Sequence, residues 1–263
     1  MKPSLIFALL AFLLIFCSGT TTAKELGQLP DESLRQDSAT PLICGISLGF
    51  PPYQFSEKQQ VTGFDADVAR ALMAELNQQF EFRQNQWENV LNELRTEQSD
   101  FIVGMEISPI RKQLFDFSLP YYFRKDAIFV LAETQILDLS DLTNQRIAGD
   151  KHSFIENKLK ESGSLFDYRL IVTHSKSDSM MLLASGKVAA AIMPKAVGFY
   201  LAKQLGLKIR MLPFADYPGT PVAIAVKKGN TQLSARLNQA LNRLKSRGEI
   251  QRLYQKWFSI QPQ

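Results

Sequence analysis

The pattern that most constrains this chain is an alternation of short apolar stretches with helix-period stretches. It runs through twice and leaves a remainder too small to fold alone. Residues 43–47 read as a strand, and Asp65 opens a helix in which Val68, Ala69, Leu72, Met73 and Leu76 share one face. Residues 80–82 then read as a strand, 87–96 as a helix and 101–103 as a strand. A second series begins near Ile128, with strands expected at 128–131, 146–148, 170–173, 188–192 and 208–211. Helices fall between them at 154–160, 178–185 and 196–204. After Pro218-Gly219 and Pro221 come one more strand, 222–226, and a helical stretch over 232–258 broken at Gly248.

This rhythm favours an α/β fold with largely parallel sheets covered by helices. The economical place for the leftover tail is back on the first unit. The chain would then cross between two lobes twice, near Arg124-Lys125 and near Pro221. The expected lobes are 41–124 with 222–263, and 125–221. Paired crossings make a hinge, and a small ligand would sit in the cleft between the lobes.

Residues 1–23 have the layout of a secretory signal peptide: Lys2, an apolar run from Leu5 to Phe16, then a small polar stretch ending at Ala23. An apolar run of about a dozen residues is shorter than the roughly 20 needed to span a bilayer. Cleavage is expected after Ala23, and the polar residues 24–40 read as a mobile leader. Cys17 brings in a lipid anchor as an alternative, but the bulky Phe16 precedes it where a small residue is needed. The mature protein is therefore expected to be soluble and periplasmic. Losing Cys17 leaves Cys44 alone in an apolar run, which reads as a small buried hydrophobe.

With two histidines, neither at metal-ligand spacing to a partner, no metal site and no cofactor are expected. The net charge of +4 comes from basic residues mixed with acids, which argues against nucleic-acid binding.

Four segments carry a resemblance across 43–258. They are Gly49-Phe-Pro-Pro-Tyr-Gln-Phe55 with Thr62-Gly-Phe-Asp-Ala-Asp67; Ser99 through Arg111, leading to Phe117-Ser-Leu-Pro-Tyr-Tyr122; Leu183-Ala-Ser-Gly-Lys-Val188; and Gly248 with Lys256-Trp-Phe258. Together they resemble the solute-binding proteins of polar amino-acid ABC importers, the bacterial family 3 solute-binding proteins. That resemblance implies a two-lobed periplasmic-binding-protein (Venus-flytrap) fold. It also implies a small carboxylate-bearing ligand, an ABC permease in the inner membrane as partner, a monomer, and no catalytic residues.

It places the ligand carboxylate at Arg111, with the backbone around Gly104 and Glu106 helping. Ser108-Pro109 makes a good helix start, and an arginine one turn in can offer its planar fork to a carboxylate. The plainer reading of Arg111 is a solvated or salt-bridged helix residue. Phe50 matches the family's aromatic lid and Trp87 a second pocket wall, although Trp87 reads equally well as core. Their ring faces would also suit a cationic ligand. Tyr53 and Phe55 read as core beneath the pocket. In the second lobe Asp150 lines the pocket, and Ser153 caps a helix whose N–H groups favour an anion.

Where the family carries an acid for the ligand's ammonium, eight residues after Gly186, this chain has Pro194. Ala189 replaces another common aspartate, and Ser47 stands where binders of basic amino acids are often acidic. Glu106 or Asp150 could supply the missing charge, which points to a ligand with both a carboxylate and a positive group, such as arginine or lysine. Two rival readings share the fold: a cyclohexadienyl-dehydratase-like enzyme using a cleft acid such as Glu106 as general acid, and a ligand-sensing module for a membrane receptor.

Overall fold

The computed structural model describes residues 40–149, 155, 167–214 and 216–258. The expected signal peptide, the leader up to residue 39, Asp150 and Ser153 lie outside the described residues. So does the helix expected at 154–160, apart from Ile155.

Two sheets organise the molecule. The first contains β1 (Leu42–Ser47), β4 (Phe80–Asn85), β5 (Phe101–Glu106), β6 (Phe115–Phe117), β7 (Tyr122–Arg124) and β13 (Thr220–Lys227), in the order β4-β1-β5-β13-β6 with β7 also on β13. The second is β10-β9-β11-β8-β12, from β8 (Asp126–Leu131), β9 (Arg146–Gly149), β10 (Arg169–Val172), β11 (Ala190–Pro194) and β12 (Ile209–Met211). A small hairpin, β2 (Phe55–Glu57) and β3 (Gln60–Thr62), stands apart from both.

The sheets are less parallel than the alternation suggests. β1 runs parallel to β4 and β5, and β9 to β10 and β11. By contrast β13 is antiparallel to β5, and β8 is antiparallel to β11. These two antiparallel strands are the ones the chain enters directly after passing from one sheet to the other. They run against the neighbouring strands built by local β-α-β connections, which are parallel to one another.

The two passages run side by side. Thr220 pairs with Arg124, the Asp126 N–H donates to the Tyr217 hydroxyl at 2.6 Å, and Lys125 Nζ meets Asp216 at 2.7 Å.

Helices cover the sheets for ordinary reasons. α1 (Phe64–Glu75) buries Phe64, Val68, Ala69, Leu72 and Met73, and α2 (Trp87–Arg95) buries Val90 and Leu94. The short α3 (Pro109–Leu114) starts at the Ser108 cap, and α4 (Lys176–Ala184) at Ser175, whose hydroxyl accepts from Asp178 N–H at 3.0 Å. α5 (Lys195–Leu205) stops at Gly206, whose φ of 64° suits the left-handed cap.

In the tail, α6 (Thr231–Ser246) buries Leu233, Leu237, Ala240, Leu241 and Leu244, a stripe with helical spacing. Gly248, with φ of 72°, separates it from α7 (Glu249–Phe258). Both tail helices pack on α1. Glu75 there pairs with Arg243 and Arg247, and Asp67 accepts from Trp257 Nε1 at 2.9 Å. The tail thus returns to the first sheet through both its strand and its helices.

Packing in the second sheet is tight where α5 crosses β8. A Cβ added at Gly198 would run into the Phe129 ring, which is fully buried. Gly198→Ala is therefore expected to cost about 1–3 kcal/mol through overpacking. That should appear as a Tm roughly 3–10 °C lower in thermal unfolding. An unchanged Tm would mean the helix moves off the sheet freely.

Candidate functional site

β5 is buried through Met105 and ends at the half-exposed Glu106. Two residues later the Ser108 hydroxyl accepts from the Arg111 N–H at 3.2 Å, with Pro109 at the first helical position. This cap fixes α3 at the carboxyl end of the central strand, where ligands of open α/β sheets bind. It also aims Arg111 back along the strand. Arg111 Nη1 donates to the Glu106 carbonyl at 3.0 Å, lies 4.0 Å from Glu106 Oε2, and its guanidinium sits 5.5 Å from the centre of the Trp87 ring. Burial draws Arg111 below its ordinary pKa, Glu106 opposes that shift, and the charge of Arg124 adds to it.

Trp87 opens α2 and packs against the core formed by Val90, Leu94, Ile102, Met105 and Phe115. It is at once part of the core and the surface on which Arg111 rests.

The residue that sequence reading missed is Arg124, taken only as a chain crossing. Its side chain is 6% exposed. Arg124 Nη2 donates to the Gly104 carbonyl at 3.2 Å and to the Tyr122 hydroxyl, and Nη1 lies 3.4 Å from Glu106 Oε1. Asp65 Oδ2 is 3.9 Å away. The guanidinium also lies over three rings, 4.9 Å from the centre of Phe50, 4.7 Å from Tyr53 and 5.5 Å from Tyr122. Burial works against its charge, but Tyr122, Glu106, Tyr53 and Asp65 outweigh that and hold it well above its ordinary pKa.

Asp65 is not the helix opener that its position suggests. Gly63 precedes α1 without a side-chain cap, and Asp65 sits fully buried in the first turn. It accepts from Gln54 Nε2 at 2.8 Å and from the Tyr121 hydroxyl. Burial pushes its carboxyl above the usual range, while Arg124, Gln54 and Tyr121 pull it back. Gln54 also reaches the Ser47 N–H at 2.8 Å and the Val103 carbonyl at 3.1 Å, tying β1 to β5.

Gly104 has φ of 78°, and a Cβ there would collide with the Gln54 amide and the Asp65 carboxylate. Its carbonyl is engaged by Arg124. This glycine thus serves close packing behind the site.

Phe50 is half-buried and stacks on Tyr53, which stacks on Tyr122, with ring centres 5.6 and 5.5 Å apart. Tyr53 is buried beneath Phe50. Phe55 instead lies between Tyr200 of α5 and Trp257 of α7, so a contact joins the two sheets' helices there. Pro194 ends β11 directly opposite Asp126 of β8.

Of the residues singled out from sequence, Phe50, Trp87, Gly104, Glu106 and Arg111 are therefore linked into one wall, with Arg124 as the common neighbour of Phe50, Gly104 and Glu106. Asp150 and Ser153 are outside the described residues. A surface hollow of about 460 Å³ lined by Pro41, Arg70, Met73, Gln78 and Phe80 borders none of these groups. Among the described residues no cluster of three or more His, Cys, Asp or Glu could hold a metal, and no helix is long and apolar enough to cross a membrane. Cys44 is buried, and burial raises its thiol pKa, as suits an inert core residue.

Known proteins resemble the chain over nearly all of this architecture. The arginine-binding extracellular protein ArtP of Bacillus subtilis (strain 168) is 26% identical over 97% of this chain and 96% of its own length. Two structures of an ancestral arginine-binding protein, one bound to arginine and one to glutamine, are each 29% identical. They superpose with TM-scores of 0.74 and 0.73, cover 83% of this chain, and are themselves covered to 98% and 97%. The ancestral amino-acid-binding protein AncCDT-1, a precursor of cyclohexadienyl dehydratase, is 27% identical with a TM-score of 0.71, covering 86% of this chain and 98% of its own. The two sheets and their paired crossings are those of the two-lobed periplasmic binding proteins. The family model for bacterial extracellular solute-binding proteins, family 3, matches residues 42–260, and the chain belongs to that family.

Proposed function

We propose that this protein is the periplasmic receptor of an amino-acid ABC importer and that it binds its ligand as a zwitterion. The carrying observation is that Arg111 already has a carboxylate, that of Glu106, within 4.0 Å of its guanidinium. A ligand carboxylate takes the outer face of that fork, where a charge-assisted pair of hydrogen bonds is available. Glu106, between Arg111 and Arg124, accepts the ligand's ammonium, standing in for the acid that Pro194 displaces. Phe50 covers the side chain.

Residues 41–124 with 222–263 form the first lobe and 125–221 the second, and the ligand sits between them. Closure follows from contacts made only when both lobes engage, because a ligand shifts such an equilibrium only by its differential affinity. The closed form, acting as a monomer, is what the inner-membrane permease recognises.

The test is thermal unfolding of the purified protein against the twenty amino acids. At least one is expected to raise Tm by several degrees at saturating concentration, and its decarboxylated amine is expected to do nothing. A flat response to all twenty would dispose of the reading.

One alternative, a dehydratase, rests on Glu106 alone, a half-exposed acid held between two guanidinium groups; AncCDT-1, a precursor of such an enzyme, is itself an amino-acid-binding protein. Turnover of prephenate or arogenate by the purified protein would establish it; binding of amino acids without turnover leaves the receptor.

A further inference from the structure

Phe50, Tyr53 and Tyr122 form a stacked row, with interplanar angles of 26° and 20° along it. Such ring faces are the natural seat for a positively charged ligand side chain. In this protein the seat is taken. Arg124 lies over all three rings, and its two terminal nitrogens are engaged by Gly104, Tyr122 and Glu106, with Asp65 at 3.9 Å. A ligand cation could reach the row only by displacing a buried guanidinium from these partners or by lying beside it as a like charge.

Three acids lie near this wall. Asp65 is fully buried and committed to Arg124, Gln54 and Tyr121. Glu106 is shared by two arginines, and in the reading above its remaining capacity goes to the ligand's ammonium and not to its side chain. Asp126 lies at the crossing, where its backbone N–H donates to the Tyr217 hydroxyl and its charge bears on both Tyr217 and Tyr53.

We propose that Arg124 is a specificity-determining residue, a built-in occupant of the aromatic row, and that the amino acid bound here carries an uncharged side chain against Phe50. The proposal rests on the amino-acid reading above and narrows it away from arginine and lysine.

Calorimetry with the purified protein against arginine, lysine, glutamine and the uncharged apolar amino acids tests it. At least one uncharged amino acid is expected to bind ten times or more tighter than arginine or lysine. Arg124→Met, which keeps the stem and removes the charge, should move the ratio at least tenfold toward arginine. Should that variant fail to fold, Asp65→Asn combined with Arg124→Met removes the carboxylate left without its partner and serves in its place.

Arginine binding as tightly as every uncharged amino acid would overturn the proposal while leaving the receptor reading intact. An unmoved ratio in the variant would do the same. Silence across this set would overturn the proposal, and silence across all twenty amino acids would remove the receptor reading as well.

Discussion

Arg111→Ala is expected to weaken binding of the cognate amino acid by about 30- to 1000-fold, while the unliganded protein keeps a Tm within a few degrees of the original. The fold-change corresponds to about 2–4 kcal/mol, the usual loss when one partner of a buried, hydrogen-bonded charge pair is truncated. The small effect on stability follows from what Arg111 touches. Its side chain is 28% exposed; beside the Trp87 ring it touches the carbonyl and carboxylate of the half-exposed Glu106, which water can replace. The Ser108 cap bonds to its backbone and survives the change.

Arg111→Lys separates charge from shape. A lysine retains the point charge but not the fork, so its affinity should fall between the two. Lys112→Ala, an exposed neighbour on the same helix, is the control and should change little. Titration calorimetry on the four proteins decides the matter. Equal affinities for wild type and Arg111→Ala would place the ligand carboxylate elsewhere.

How far the sequence anticipates this site depends on which residues carry local signals. Ser108-Pro109 announces a helix start, and a helix start fixes what lies one turn in, so Arg111 and its neighbourhood are legible from spacing. The two crossings are legible too, because the tail beginning at Thr220 cannot bury its own apolar face and must return. The strand directions at those crossings are not, since periodicity reports which face of a strand is buried and says nothing of which way the strand runs.

Arg124 and Asp65 are the clearer lesson. Asp65 falls where an acidic helix start is ordinary, and Arg124 falls in a connection where a charge is ordinary. Their burial and pairing arise only when α1, β5 and β7 are brought together across 59 positions of chain (124 − 65). Gln54 and Gly104 depend on the same assembly. A faint trace did exist: Tyr121, Tyr122 and Phe123 directly before an arginine, with Phe50 and Tyr53 elsewhere, offer more ring faces than a small core needs.

Asp65→Ala is expected to destabilise the protein by about 3–5 kcal/mol, because it removes a fully buried carboxylate from beside the buried Arg124 guanidinium and leaves the half-exposed Glu106 as its carboxylate partner. For a domain of this size that should lower Tm by roughly 6–20 °C. The loss exceeds that of a simple cavity for a reason visible in the surroundings. The same carboxylate also accepts from the Gln54 amide and the Tyr121 hydroxyl; the hydroxyl loses this buried acceptor, and the amide keeps only the Val103 carbonyl.

Gln54 in turn joins β1 to β5, so the damage should spread to the strand end that presents Phe50. If the account is right, the penalty belongs to the pair and not to Asp65 alone. Adding Arg124→Met to Asp65→Ala should then restore part of the lost stability, and the double variant should be more stable than the sum of the two single effects. Denaturant unfolding of the four proteins measures this coupling. Strict additivity would mean that Arg124 finds its counter-charge in Glu106, and that the buried acid under the ligand wall only fills space.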